Sequence, residues 1–156
     1  PVLDTPEYLK HETKVWFEVT TLLIPGYNDS SSELEKLSCW MVEQLGPQVP
    51  LHFSAFHPDW KMTDVEKTPH QTLIRAREIA LANGIHHVYL GNVHDHQGSS
   101  TYCHACGQIL IGRDWYVLSD WNLDSQGRCS NCLEPCPGHF EPTPGSWGSR
   151  RQPVKV

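Results

Sequence analysis

The first ninety residues alternate between short β-type runs and stretches with helical periodicity. Residues 15–24 (VWFEVTTLLI) are β-branched and aromatic and become wholly apolar at their end, which predicts a strand buried on both faces. Residues 51–56 and 85–90 predict two further strands. Between the strands, apolar residues recur at the spacing of one helix face. These residues are Leu34, Leu37, Met41 and Leu45 in one stretch and Leu73, Ala76, Ala80 and Leu81 in the next.

Capping signals support these helices. Ser30, with Glu33 three residues later, forms the capping-box pattern that opens a helix. Thr68 and Thr5 each precede a proline, and a capping hydroxyl followed by proline at the first helical position predicts one helix from each. Gly84 follows the apolar pattern of the longer helix and predicts its end there.

The order strand, helix, strand, helix, strand predicts right-handed βαβ units and a parallel sheet, so the fold class is α/β. Three strands are too few to close a barrel. After residue 92 the chain becomes rich in Gly, Ser, Cys and Trp and loses helical periodicity. We therefore expect an α/β part over residues 1–97 and a cysteine module of short hairpins over residues 98–156, with an irregular tail from Pro142.

Composition narrows the class of protein. The 156 residues carry a formal charge of −6, with 38% hydrophobic and 19% charged residues, which indicates a globular chain and disfavours nucleic acid as a partner. No apolar run approaches the roughly 20 residues that cross a bilayer, and the N-terminus lacks the pattern of a secretory signal. We expect a cytoplasmic protein without a membrane partner. The chain does not begin with Met, which suggests a piece of something longer.

The cysteines carry the clearest chemical signal. Cys103 and Cys106 form one C-x2-C knuckle, and Cys129 and Cys132 form a second one after 22 intervening residues. Two such knuckles complete a tetrahedron of thiolates, and four cysteines leave no open position, so a structural zinc site is predicted. Free or disulfide-bonded cysteines, or a rubredoxin-like iron site, are the alternatives.

Two other cysteines need separate interpretations. Cys136 follows the second knuckle and could join Cys129 and Cys132 as three ligands of an iron–sulfur cluster, although a packed or spare thiol is the simpler interpretation. Cys39 lies in the first amphipathic helix and is predicted to be a small buried residue.

Most of the ten histidines are interpreted as surface or packed residues, and His94 and His96 as part of a solvated linker in preference to a metal site. His57 differs because it directly follows a predicted strand. Ligand-contacting residues of parallel α/β proteins collect at the carboxyl ends of strands, where residues 25–28 and 91–92 follow the other two strands. His57 is therefore a candidate site residue.

Four motifs occur in a characteristic order: residues 20–29 (TTLLIPGYND), 53–62 (FSAFHPDWKM), 89–93 (YLGNV) and 101–107 (TYCHACG). Together with the GSWG run at residues 145–148, they resemble the AmmeMemoRadiSam-system radical SAM enzymes, relatives of the pyruvate formate-lyase activating enzymes. The resemblance implies that the chain is the last βα units of a partial (β/α)6 radical SAM barrel followed by a zinc ribbon.

Enzymes of this family are oxidoreductases that use a [4Fe-4S] cluster to cleave S-adenosylmethionine to a 5′-deoxyadenosyl radical. Residue by residue, the resemblance places cofactor contacts at Thr20, Leu22 and His57, although the activating enzymes carry an arginine where this chain has Thr20. The C-x3-C-x2-C cluster motif is absent. The resemblance thus implies an inactive C-terminal portion whose partners are the missing N-terminal half of the barrel and two other proteins of the AmmeMemoRadiSam system.

Two alternatives remain: a stand-alone zinc-ribbon adaptor that binds a protein, and a rubredoxin-like electron carrier. A three-stranded piece of a barrel leaves apolar edges exposed, so the fragment interpretation predicts marginal stability or self-association.

Overall fold

A computed structural model describes residues 2–146, 148–151 and 153, so Trp147 of the GSWG run lies outside the described residues. The chain divides into two compact units, residues 1–93 and residues 94–156. The boundary predicted after residue 97 would cut the short helix α4 (His96–Ser99), which belongs to the second unit. No helix among the described residues is long and apolar enough to cross a membrane.

The first unit contains a three-stranded parallel sheet in the order β1-β2-β3, as the βαβ pattern predicted. The strands are β1 (Val19–Leu23), β2 (Leu51–Ala55) and β3 (Val88–Gly91). The helices are α1 (Asp4–Glu12), α2 (Ser31–Trp40) with a π-helical continuation (Met41–Leu45), and α3 (His70–Ala82). The α/β class is therefore confirmed.

The core lies on one face of this sheet. Alternate residues of each strand pack with the helices in one apolar cluster, which comprises Leu23, Leu34, Met41, Leu45, Val49, Leu51, Phe53, Ala55, Leu73, Ala76, Ala80, Ile85, Val88 and Leu90. The prediction that the first strand is buried on both faces is wrong, because Thr20 and Leu22 are exposed while Leu23 is fully buried. The strand is also shorter than predicted, since Val15 and Trp16 precede it and are exposed.

The capping predictions had different outcomes. Ser30 caps α2 as predicted: its hydroxyl accepts the backbone N–H of Glu33 and donates to the Glu33 carboxylate, which in a full capping box would accept the backbone N–H of Ser30. The prediction that Thr68 caps α3 is wrong. Its buried hydroxyl instead accepts the N–H of Phe56 at 2.8 Å and donates to the carbonyl of Leu23 at 2.6 Å. Thr68 therefore ties together the ends of β1 and β2.

The second unit contains an antiparallel sheet in the order β4-β5-β6, formed by β4 (Thr101–Tyr102), β5 (Ile109–Asp114) and β6 (Val117–Trp121). The prediction of short hairpins is met by β5 and β6, which form a hairpin between the two knuckles. Residues 122–146 continue as turns and isolated bridges. The small buried cluster of the second unit consists of Cys103, Leu110, Ile111, Leu123, Cys129 and Cys136.

Candidate metal centre

The four predicted cysteines converge at one point of the second unit. The sulfur atoms of Cys103, Cys106, Cys129 and Cys132 all lie within 4.8 Å of one another. Each knuckle faces the other, with 3.5 Å between the sulfurs of Cys103 and Cys132 and 3.7 Å between those of Cys106 and Cys129. A tetrahedral ion with metal–sulfur distances of about 2.3 Å requires sulfurs about 3.8 Å apart. The cluster therefore has the spacing of a metal site.

All six cysteines are free thiols. A disulfide needs sulfurs about 2.05 Å apart, which is far shorter than the separations found here. The disulfide alternative therefore does not describe this cluster.

The two knuckles share one backbone pattern. In the first, the N–H of Cys103 donates to the carbonyl of Gln108, and the N–H of Gly107 donates back to the carbonyl of Cys103. In the second, Cys129 and Glu134 are bonded in the same way, and the N–H of Leu133 donates back to Cys129. Gly107 and Leu133 both have positive φ, 74° and 64°. Glycine at position 107 is a sequence signal of this conformation, whereas leucine at position 133 is not.

The contacts within the site shift the pKa values of two thiols in opposite directions. The Asn131 amide, 3.5 Å from the Cys106 sulfur, and the Gln108 backbone lower the pKa of Cys106 to about 6. For Cys132, the Glu134 backbone lowers the pKa, but the hydrogen bond to Cys106 and burial outweigh it and raise the pKa to about 12. Four neighbouring thiolates repel one another, and a metal ion removes this repulsion by binding all of them deprotonated.

Cys136 lies outside the four-cysteine group, although it packs in the same apolar cluster. Burial, together with the nearby Cys103, raises the pKa of Cys136 to about 11. The trio of Cys129, Cys132 and Cys136 is thus not the set that the structure brings together, and the interpretation of Cys136 as a packed thiol agrees with its position.

The structure contradicts the prediction that Cys39 is buried. Cys39 is exposed on α2, and its thiol donates to the side-chain oxygen of Asn83 at 3.2 Å. The predicted burial is wrong because the inward face of α2 is formed by Leu34 and Ser38.

The histidine pair near the start of the second unit contacts the β5–β6 hairpin. His94 accepts the indole N–H of Trp115 at 2.6 Å and lies 3.3 Å from Asp114, while His96 lies 3.2 Å from the Ser119 hydroxyl.

Over the described part of the chain, the four cysteines are the one group of three or more potential ligands close enough to hold a metal.

The cofactor contacts implied by the resemblance lie in the first unit. Thr20 and Leu22 occupy the exposed face of β1, and His57 is exposed two residues beyond the end of β2. The loops at this edge are held by side chains. Asn28 bonds the backbone of Leu22 and Ile24, and the Asn92 amide donates to the carbonyl of Ala55 at 3.2 Å.

Sequence reasoning marked these loops but missed the side chains that tie them, namely Asn28, Thr68 and Asn92. For Asn92 the available signal is an asparagine directly after a strand and beside Gly91, and for Asn28 it is an asparagine in a turn that begins with Pro25 and Gly26, because asparagine amides commonly bond nearby backbone in turns. Thr68 offers no such signal, since its partners are distant in sequence.

The fold and the site define an α/β protein with a four-cysteine module. No protein-family model and no solved structure match the chain significantly. The chain is 44% identical over 135 residues to the uncharacterized protein MJ0808 of Methanocaldococcus jannaschii, and the match covers 86% of this chain. It spans 40% of the length of that relative.

Proposed function

We propose that this chain is the C-terminal portion of a radical S-adenosylmethionine enzyme of the activating-enzyme type. In this proposal the first unit contributes part of the cofactor pocket, and the second unit is held together by structural zinc. The observation that carries the proposal is the one-sided burial of the parallel sheet, with Thr20 and Leu22 on its open face.

In a β/α barrel the helices lie outside the strands, and the other face of each strand lines the interior. Among the described residues of the first unit, the helices pack on one face of the sheet, and the residues of the opposite face range from exposed to half-buried. A free-standing parallel sheet normally has both faces covered. One-sided burial therefore supports the proposal of a barrel segment, in which Thr20 and Leu22 would lie on the interior surface.

The similarity to the archaeal relative is compatible with a longer enzyme. Most of that relative lies outside the match. A protein of the relative's length has room for additional strands and for a cluster-binding motif.

Zinc is proposed for the metal centre because four thiolates close a tetrahedral shell. The second unit buries few apolar side chains, so cross-linking its two knuckles through an ion is a major source of stability. A bound zinc ion would offset half of the negative charge of the thiolates of Cys103, Cys106, Cys129 and Cys132. The four thiolates would fill the coordination shell of this zinc ion, which therefore has no open position for catalysis.

Metal analysis tests the zinc proposal. Protein purified without added metal should contain about one zinc ion per chain and have no visible absorbance. Iron with inorganic sulfide, or iron alone in a red protein, would overturn this part of the proposal.

The enzyme proposal expects further sequence upstream of this chain, and it is tested on the full-length protein. Its upstream sequence should contain C-x3-C-x2-C, and the anaerobically reconstituted, reduced protein should release 5′-deoxyadenosine from S-adenosylmethionine. His57→Ala should lower that release about tenfold or more, because one hydrogen bond to a charged cofactor is lost. His70→Ala, at another exposed histidine, is the control. The absence of an upstream cluster motif would refute the proposal.

A stand-alone adaptor is the second candidate. The observation that favours it is the tip of the β5–β6 hairpin, where Trp115, Tyr116 and Val117 are all exposed. Adjacent exposed aromatic residues are typical of protein-binding surfaces. An adaptor should bind its partner through this tip without any cluster or cofactor.

A further inference from the structure

The open face of the parallel sheet carries a row of three interacting polar side chains, Glu18, His52 and Tyr89. His52 in β2 is paired in register with Tyr89 in β3. Glu18 directly precedes β1, and its Oε2 lies 2.6 Å from Nε2 of His52. The rings of His52 and Tyr89 are 4.9 Å apart and tilted by 34°. The imidazole is therefore held from both neighbouring strands.

The hydrogen bond to Glu18 fixes the proton of His52. An ionised carboxylate can only accept, so Nε2 of His52 is the donor and Nδ1 keeps its lone pair in the neutral ring. The second carboxylate oxygen of Glu18 accepts the indole N–H of Trp16 at 3.3 Å, which orients the carboxylate. A carboxylate that orients an imidazole also stabilises the positive charge that forms when the ring takes a proton.

The pair of Glu18 and His52 adds little to the stability of the first unit. The side chains of His52 and Glu18 are 30% and 43% exposed, and exposed ion pairs contribute about 0–1 kcal/mol to stability. The location points to a ligand. Thr20, on the proposed interior face, is the register partner of His52.

We propose that His52, positioned by Glu18, is the proton-accepting residue of a ligand site on the open face of the sheet. The ligand presents a hydroxyl or amino group to Nδ1, and Tyr89 forms the adjoining wall. In the proton transfer the ligand O–H or N–H bond breaks, its electron pair stays on the heteroatom, and the new N–H bond forms at His52. The imidazolium then returns the proton to water. Identification of this ligand with the substrate rests on the proposed radical enzyme.

Acylation by diethyl pyrocarbonate tests the reactivity of His52 in this chain. Acylation at Nδ1 places positive charge on the ring, as protonation does, and Glu18 should stabilise that charge. Mass spectrometry of the digested protein gives the rate at each histidine. We expect His52 to react faster than the exposed His57 and His70, and Glu18→Gln to slow His52 by about threefold or more.

The variants separate charge stabilisation from simple access. Glu18→Gln keeps the size of the side chain, and Glu35→Gln removes an exposed carboxylate from α2 as the matched control. Trp16→Phe removes the donor to Glu18 while keeping the pair, and should slow His52 less than Glu18→Gln does. It also provides a test if Glu18→Gln does not fold. Equal rates at His52 in the wild type and these variants would overturn the proposal. Because acylation involves no cluster, this outcome is distinct from failure of the radical-enzyme proposal.

Discussion

At the residue scale, the two cysteine knuckles differ at a position that both hold at positive φ. Gly107 adopts this conformation without strain, whereas Leu133 has a Cβ and is 58% exposed. A side chain in the left-handed region costs about 1–2 kcal/mol, and glycine costs about 0.5–1 kcal/mol in unfolded-state entropy. Leu133→Gly should therefore stabilise the metal-loaded chain by about 0.5–1 kcal/mol in denaturant unfolding.

The matched substitution is Gly107→Ala at the same position of the first knuckle. It introduces the strain that Leu133 carries, and it should destabilise the chain by about 1 kcal/mol. Its added Cβ would meet no neighbouring atom within 4 Å, so a measured loss reports backbone strain alone. A less stable Leu133→Gly protein would contradict this account.

The side-chain amide of Asn131 donates to the sulfur of Cys106 in the candidate metal centre. Removal of an outer hydrogen bond to a metal ligand typically lowers metal affinity about 10- to 100-fold. We expect Asn131→Ala to weaken zinc binding by about tenfold in a chelator competition. Ser130→Ala, at the exposed neighbouring position, should leave affinity unchanged. Equal affinities of the two variants would refute a role for Asn131.

At the scale of elements, the hydroxyl of Thr68 joins the carboxyl ends of β1 and β2. Thr68→Val keeps the shape of the side chain but leaves the Phe56 N–H and the Leu23 carbonyl without their partner. Each buried unsatisfied group costs about 1–3 kcal/mol. We expect thermal unfolding to report a loss of at least about 2 kcal/mol, whereas Thr63→Val, at an exposed site, should change stability little. A Thr68→Val protein as stable as the wild type would show that the two hydrogen bonds of the Thr68 hydroxyl do not stabilise the fold.

The outcome for Thr68 shows how far local pattern determines these elements. The cap at Ser30 was predictable because both partners lie within four residues. The threonine-proline pattern at Thr68 is equally local, but tertiary contacts with Leu23 and Phe56 recruit the hydroxyl instead. The exposed face of β1 was missed for a related reason. An apolar side chain such as Leu22 does not reveal whether anything covers it.

The convergence of the four cysteines was predictable to the level of individual residues because two-residue spacing constrains both sulfurs of a knuckle. The Glu18–His52 pair was not, since its members are 34 positions apart and meet only through the register of β1 and β2.

At the scale of the whole molecule, each of the two units has its own buried cluster. Metal removal should therefore unfold the second unit and leave the first unit folded. In amide NMR spectra with excess chelator, we expect resonances of residues 101–136 to collapse while those of α2 and α3 persist. Added zinc should restore them. Loss of every resonance on chelation would show instead that the two units fold cooperatively.

The open face of the parallel sheet leads us to expect self-association of the chain. Leu22 is 43% exposed on that face, and β1 and β3 are the outer strands of the sheet. Exposed strand edges and apolar faces promote pairing with other chains. We expect the 156-residue chain to self-associate with increasing concentration in sedimentation velocity experiments, and Leu22→Lys to reduce this association. Leu81→Lys, at an exposed leucine of α3, is the control because the barrel proposal places α3 on the outside. A chain that stays monomeric and unfolds cooperatively would favour the adaptor, because a barrel segment needs neighbouring strands that an independent domain does not.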